Sequence, residues 1–117
     1  MESPWRLQRL AREFPELTFL VSDALWSFDR SMEIMLSASQ TPNVIWDFGG
    51  PTRLGIKQWV EHNGSTNLCY SADMPYGATH TLQMPRLRSE IESAAITDAE
   101  KADIFGGNIR RMFGLGV

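Results

Sequence analysis

The stretch Asn67-Leu-Cys-Tyr-Ser-Ala-Asp-Met-Pro-Tyr76 decides how the rest of the chain is read. A short apolar run rises into small residues, then a single Asp73, then Met-Pro-Tyr. The pattern is that of a strand whose carboxyl end delivers one carboxylate and then turns away. An aspartate before such a break also serves as an Asx-turn acceptor.

Two similar strand patterns precede it. Leu17 to Val21 is a continuous apolar run with a β-branched member, which suits a strand buried on both faces of a parallel sheet. It stops at Ser22-Asp23. Asn43 to Phe48 is the second strand, broken by Gly49-Gly50-Pro51. Helical patterns separate the three strands. Ser3-Pro4 gives a capping hydroxyl and a proline at the first helical position. Leu7, Leu10, Ala11 and Phe14 follow on one helical face, and Pro15 ends it. Ser27 is placed to cap the next helix, whose stripe is Phe28, Met32, Met35 and Leu36. A shorter helix from Thr52 to His62 carries Ile56, Trp59 and Val60, with Asn63-Gly64 as its stop.

After Asn67–Tyr76 the chain turns helical. One helix runs from about Thr79 to Ala94, with Pro85 tolerable near its first turn. Thr97-Asp-Ala-Glu100 has the form of a capping box. Ala102, Phe105, Ile109, Met112 and Phe113 then keep helical phase through Gly106-Gly107, a pair expected to kink or divide the helix. The order α-β-α-β-α-β-α-α implies a parallel sheet with right-handed crossovers. Three strands leave open edges, so the sheet is expected to be completed by something else.

Composition narrows the function. The 117 residues suffice for one domain with a modest core, and 43% hydrophobic with 21% charged content is that of a globular protein. The net charge of −3, with no basic cluster beyond Arg110-Arg111, disfavours nucleic acid or an anionic membrane as partner. No apolar run approaches the ~20 residues that span a bilayer. The lone Cys69 excludes an internal disulfide and suits a reducing, cytoplasmic compartment. With no histidine nearby in sequence, it reads as a small core residue rather than a nucleophile.

Several of these segments resemble one family. Leu10-Ala-Arg-Glu-Phe-Pro-Glu-Leu17 leading into a strand, and then Pro42-Asn-Val-Ile-Trp-Asp47, look like the latter half of an amidohydrolase-related barrel. The group meant is the metal-dependent one that includes aminocarboxymuconate-semialdehyde decarboxylase. Tyr70-Ser-Ala-Asp-Met-Pro-Tyr76 is similar to its Gly-Ser/Thr-Asp-x-Pro-Phe/Tyr motif at the end of the last barrel strand. Ile104-Phe-Gly-Gly-Asn-Ile-Arg-Arg-Met-Phe-Gly-Leu115 is similar to its closing Gly-Asn-Ala-x-Arg-Leu-Phe-x-Leu. The resemblance covers nearly the whole chain, in order.

It implies an α/β fold, a partial (β/α)8 barrel made of about the last three β/α units plus C-terminal helices. Residues 1–117 would form a single domain, incomplete alone, since a full barrel needs ~250 residues. The implied function is a metal-dependent hydrolase or decarboxylase. Its divalent ion, typically zinc, lowers the pKa of bound water to ~7 and polarises a carbonyl or carboxylate. Asp73 matches the strand-end aspartate that binds metal and handles the water. The family's His-x-His and its fifth-strand histidine have no counterpart, and Asp23 aligns with the histidine that ends its sixth strand. Asp73 and Asp23 are thus the candidate catalytic residues, and Asp73 the candidate metal ligand. Trp26, just past a strand end, and His80, past the Asp73 loop, are the candidates for contacting a small-molecule substrate. Each has a plainer role too: helix capping for Asp23, packing for Trp26, a surface or capping position for His80. Asp47 reads as a turn acceptor before Phe48-Gly49-Gly50 and His62 as a helix-end residue. One carboxylate does not hold zinc, so no metal is expected on the isolated chain unless a partner supplies the missing ligands. The expected partner is a second copy or a complementary barrel half. The alternative function is a non-catalytic truncated half-barrel acting through that association.

Overall fold

Pro4 opens helix α1, Pro4–Glu13, where its missing N–H is not needed. The computed structural model describes residues 4–22, 28–48, 55–71 and 83–116. Strand β1 is Phe19–Val21, helix α2 is Phe28–Ala38 and strand β2 is Val44–Phe48. Helix α3, Ile56–Asn63, leads into strand β3, Leu68–Tyr70. Helix α4 spans Gln83–Ser93 and α5 spans Asp98–Ala102. One π-helical turn, Asp103–Gly107, joins α5 to α6, Asn108–Met112. The α/β alternation expected from the sequence is therefore present.

The strands form one parallel sheet in the order β1-β2-β3. Register makes Leu20 the partner of Ile45, Trp46 the partner of both Val21 and Leu68, and Asp47 the partner of Cys69. Because side chains alternate along a strand, Phe19, Val21, Val44, Trp46, Leu68 and Tyr70 share one face. Leu20, Ile45, Asp47 and Cys69 share the other. The core lies on the first face. Val44, Trp46 and Leu68 pack there with Ile34 and Ala38 of α2, Ile56, Trp59 and Val60 of α3, and Leu87 and Ile91 of α4. Ala11 and Ile104 complete the cluster. Burying a side chain of this size contributes about 1.5–3 kcal/mol.

Local signals act as their chemistry requires. Gly64 takes φ 77°, and its N–H bonds the Val60 carbonyl, so α3 stops at the Asn63-Gly64 signal. Thr97 and Glu100 form the full capping box. Pro85 is the third residue of α4, where it breaks no intrahelical bond. Gly106 lies off helical geometry at φ 173°, ψ −15°, so the Gly106-Gly107 pair divides the helix through a π turn.

Strand β1 departs from expectation. It covers Phe19–Val21 rather than starting at Leu17, and Leu20 is 45% exposed. An apolar run is buried on both faces only where other elements lie against both, and β1 is at the sheet's edge.

Candidate functional site

In a parallel α/β sheet ligands meet the carboxyl ends of the strands, so the candidate site is built from Val21-Ser22, Asp47-Phe48 and Tyr70-Ser71 outward. Asp23, Trp26, Asp73 and His80 lie beyond those ends and outside the described residues. Of the strand-end aspartates only Asp47 is described. It does not sit in a turn but within β2, buried beside Cys69 on the face opposite the helical core.

The surroundings of Cys69 fix its chemistry. Burial raises the thiol, the nearby Asp47 carboxylate raises it further, and together they push it up to about 12. The thiolate is the nucleophilic form, so this burial keeps Cys69 in its unreactive thiol form near neutrality. The small-core reading of Cys69 holds. Asp47 is a buried carboxylate, a costly placement that marks strand ends used for chemistry as well as packed ion networks. Among the described residues no group of three or more His, Cys, Asp or Glu could hold a metal ion. The described donors by themselves therefore do not fit a catalytic metal, which needs three protein ligands. His62 ends α3 as an exposed residue, as its position before Asn63-Gly64 suggests.

Below the strand ends the structure is pinned by asparagines that sequence reasoning missed. Asn108 is almost fully buried, and its Nδ2 donates to the Ser65 carbonyl at 2.7 Å and the Leu68 carbonyl at 2.6 Å. The Trp46 N–H bonds the Asn67 carbonyl, so the next carbonyl, that of Leu68, points to the edge of β3 away from β2. Asn108 thus satisfies an edge acceptor of the sheet. The sequence reading put the apolar stripe on Ala102, Phe105, Ile109, Met112 and Phe113, but the buried face carries Ile104 and Asn108, while Phe105 and Phe113 are exposed. Asn43 donates to the carbonyls of Ala11, Phe14 and Leu17, closing the corner between α1 and β1. Asn67 accepts from Trp59 Nε1 at 3.0 Å. No spacing rule marked these last two, because their hydrogen-bond partners lie outside their own turn of chain.

Asp103 adds a charged layer. Its carboxylate accepts from Ser65 Oγ at 2.8 Å and from Arg111 Nη2 at 2.7 Å, and Arg111 also donates to Asn108 Oδ1. Burial pushes the Asp103 carboxyl upward. The hydrogen bonds from Arg111 and Ser65, with the Arg111 charge, outweigh that and leave it below the usual carboxylate value.

No described helix is long and apolar enough to cross a membrane. Searches among curated proteins and among solved structures found no match. The family model described as amidohydrolase matches residues 2–115, which takes in every described strand and helix. On that match the chain belongs to the amidohydrolase family.

Proposed function

We propose that this chain is the carboxyl-terminal arc of an amidohydrolase-type barrel. It would serve a metal-dependent hydrolase or decarboxylase of the aminocarboxymuconate-semialdehyde-decarboxylase kind, acting on a small molecule. One observation carries the reading: three parallel strands in sequential order, with the described core helices packed on the same face, inside a family match over residues 2–115. A barrel wall has that layering, with helices outside and strand ends facing the site. In this reading Asp73 is the chain's own carboxylate for a divalent ion, zinc by chemical preference, and for its water. Asp23 is a second strand-end carboxylate, and Trp26 and His80 face substrate. The remaining ligands come from a complementary barrel half or a second copy.

The test is metal content and hydrolysis or decarboxylation by the purified chain, beside Asp73→Asn. Stoichiometric zinc lost on that substitution supports the reading. A metal-free, inert chain overturns autonomous catalysis.

The second reading is a non-catalytic half-barrel that works by association. The exposure of Leu20 on edge strand β1 favours it, since an uncovered apolar edge suits association. Either reading has β1 take a neighbour. Leu20→Lys should then shift the purified chain toward monomer in light scattering, because a lysine on an edge strand opposes pairing. A wild-type chain that is already a monodisperse monomer would sink the association.

A further inference from the structure

A cleft of about 450 Å3 opens where the carboxyl end of β3 meets α4 and the π turn. Tyr70, Pro85, Arg88 and Phe105 line it. Tyr70 projects to the helix-facing side of β3, so the cleft lies on the other side of the sheet from Asp47 and Cys69. The rings of Tyr70 and Phe105 meet edge to face, with centroids 5.8 Å apart and planes at 65°. Their arrangement and the Pro85 ring give an apolar wall suited to a flat ligand body. Phe105 is 37% exposed, so part of its ring is open to such a ligand.

The polar end of the cleft is Arg88. Its Nε donates to Glu92 Oε1 at 2.7 Å, and its side chain is 68% exposed. Among the described residues no hydrogen bond uses its two terminal amino groups. A guanidinium is a planar, permanently charged fork that matches a carboxylate. The pair with Glu92 is an exposed i,i+4 contact, and such pairs are weak enough to yield to a ligand.

We propose that the cleft between Tyr70, Pro85 and Phe105 binds a small planar carboxylate, its flat body against the two rings and its carboxylate on Arg88. The volume falls within the range of small-molecule sites, and one convergent cation beside apolar walls is how such sites fix orientation. The inference stands apart from the metal reading, because its readout requires neither a metal nor turnover.

The test titrates the purified chain with benzoate, and with benzamide as its neutral isostere, following the NMR signals of the Tyr70 and Phe105 rings and the Arg88 Nε–H. Saturable shifts at millimolar benzoate are expected, with benzamide binding about tenfold more weakly. Arg88→Met should bring benzoate down to the level of benzamide without loss of helix by circular dichroism, since Arg88 lies on the surface. Glu92→Gln should tighten benzoate binding by removing the competing carboxylate. The proposal is overturned by any one of four results: no saturable shift, equal affinity for the two probes, unchanged benzoate affinity in Arg88→Met, or no tightening in Glu92→Gln.

Discussion

Strands β1 and β3 flank the same central strand, and both are short and apolar, yet the chain treats them oppositely. In β3, Leu68 and Cys69 are buried. In β1, Leu20 is 45% exposed, and Phe19 and Val21 are only half-buried. Composition does not explain this, since Phe-Leu-Val is at least as apolar as Leu-Cys-Tyr. The neighbours do. Ile104, in the π turn, packs into the core with Leu68, and Asn108 takes the outward carbonyl of Leu68. At β1 the matching fastener, Asn43, reaches only the corner before the strand begins. An edge strand is buried when a later segment folds back over it, and among the described residues such a segment covers β3 and not β1.

That contrast can be broken by mutation. The largest effect should come from Ile104→Ala. It empties a fully buried position against β3 and should cost about 2–5 kcal/mol in urea denaturation. At protein concentrations low enough to leave the β1 edge without a neighbour, Leu20→Thr should move stability by no more than about 0.5 kcal/mol, as an exposed position would. Similar losses at both sites would mean that β1 is covered as well as β3.

A smaller effect separates the two asparagine pins. Asn108→Ala strands two buried carbonyl contacts and should cost about 1–3 kcal/mol. Asn43→Ala should cost less, because solvent can replace its bonds to Phe14 and Leu17 at the exposed corner. Equal losses in urea melts of the two variants would remove the distinction.

The smallest effect is a pH dependence confined to the β3 side. Asp103 titrates below the ordinary carboxylate range when folded. Its contribution is therefore present above about pH 4, the unfolded value, and is lost as pH falls through the lowered folded value. Amide exchange at β3 and α6 should speed up in acid, and Asp103→Asn should flatten that response. The corner at Asn43 holds no ionisable donor in its bonds and should not follow. Acid loosening of both ends alike would assign the effect to general charge repulsion instead.

Much of the fold was legible in the sequence because its signals are local. The Asn63-Gly64 stop, the Thr97 capping box, Pro4 at the first position of α1 and the break at Gly106-Gly107 each act within one turn of chain. Strand β2 was read at nearly its observed bounds, since a run buried on both sides looks the same from either face. The candidate site was legible only in part. Asp47 was read only through the Phe48-Gly49-Gly50 that follows it, and the sequence did not show that β2–β3 pairing sets it beside Cys69. The cleft at Arg88 left no sequence trace, since its walls come from β3, α4 and the π turn.

Sequence alone determined the alternation of strands and helices and the family resemblance, both of which rest on short spacings. Tertiary structure decided which strand is buried. It also buried Cys69 and set Asp47 beside it, both of which raise the thiol's pKa, and it carried Asn108 across to the free edge of β3. Those outcomes depend on desolvation and on hydrogen bonds between groups far apart in the chain, which no local pattern encodes.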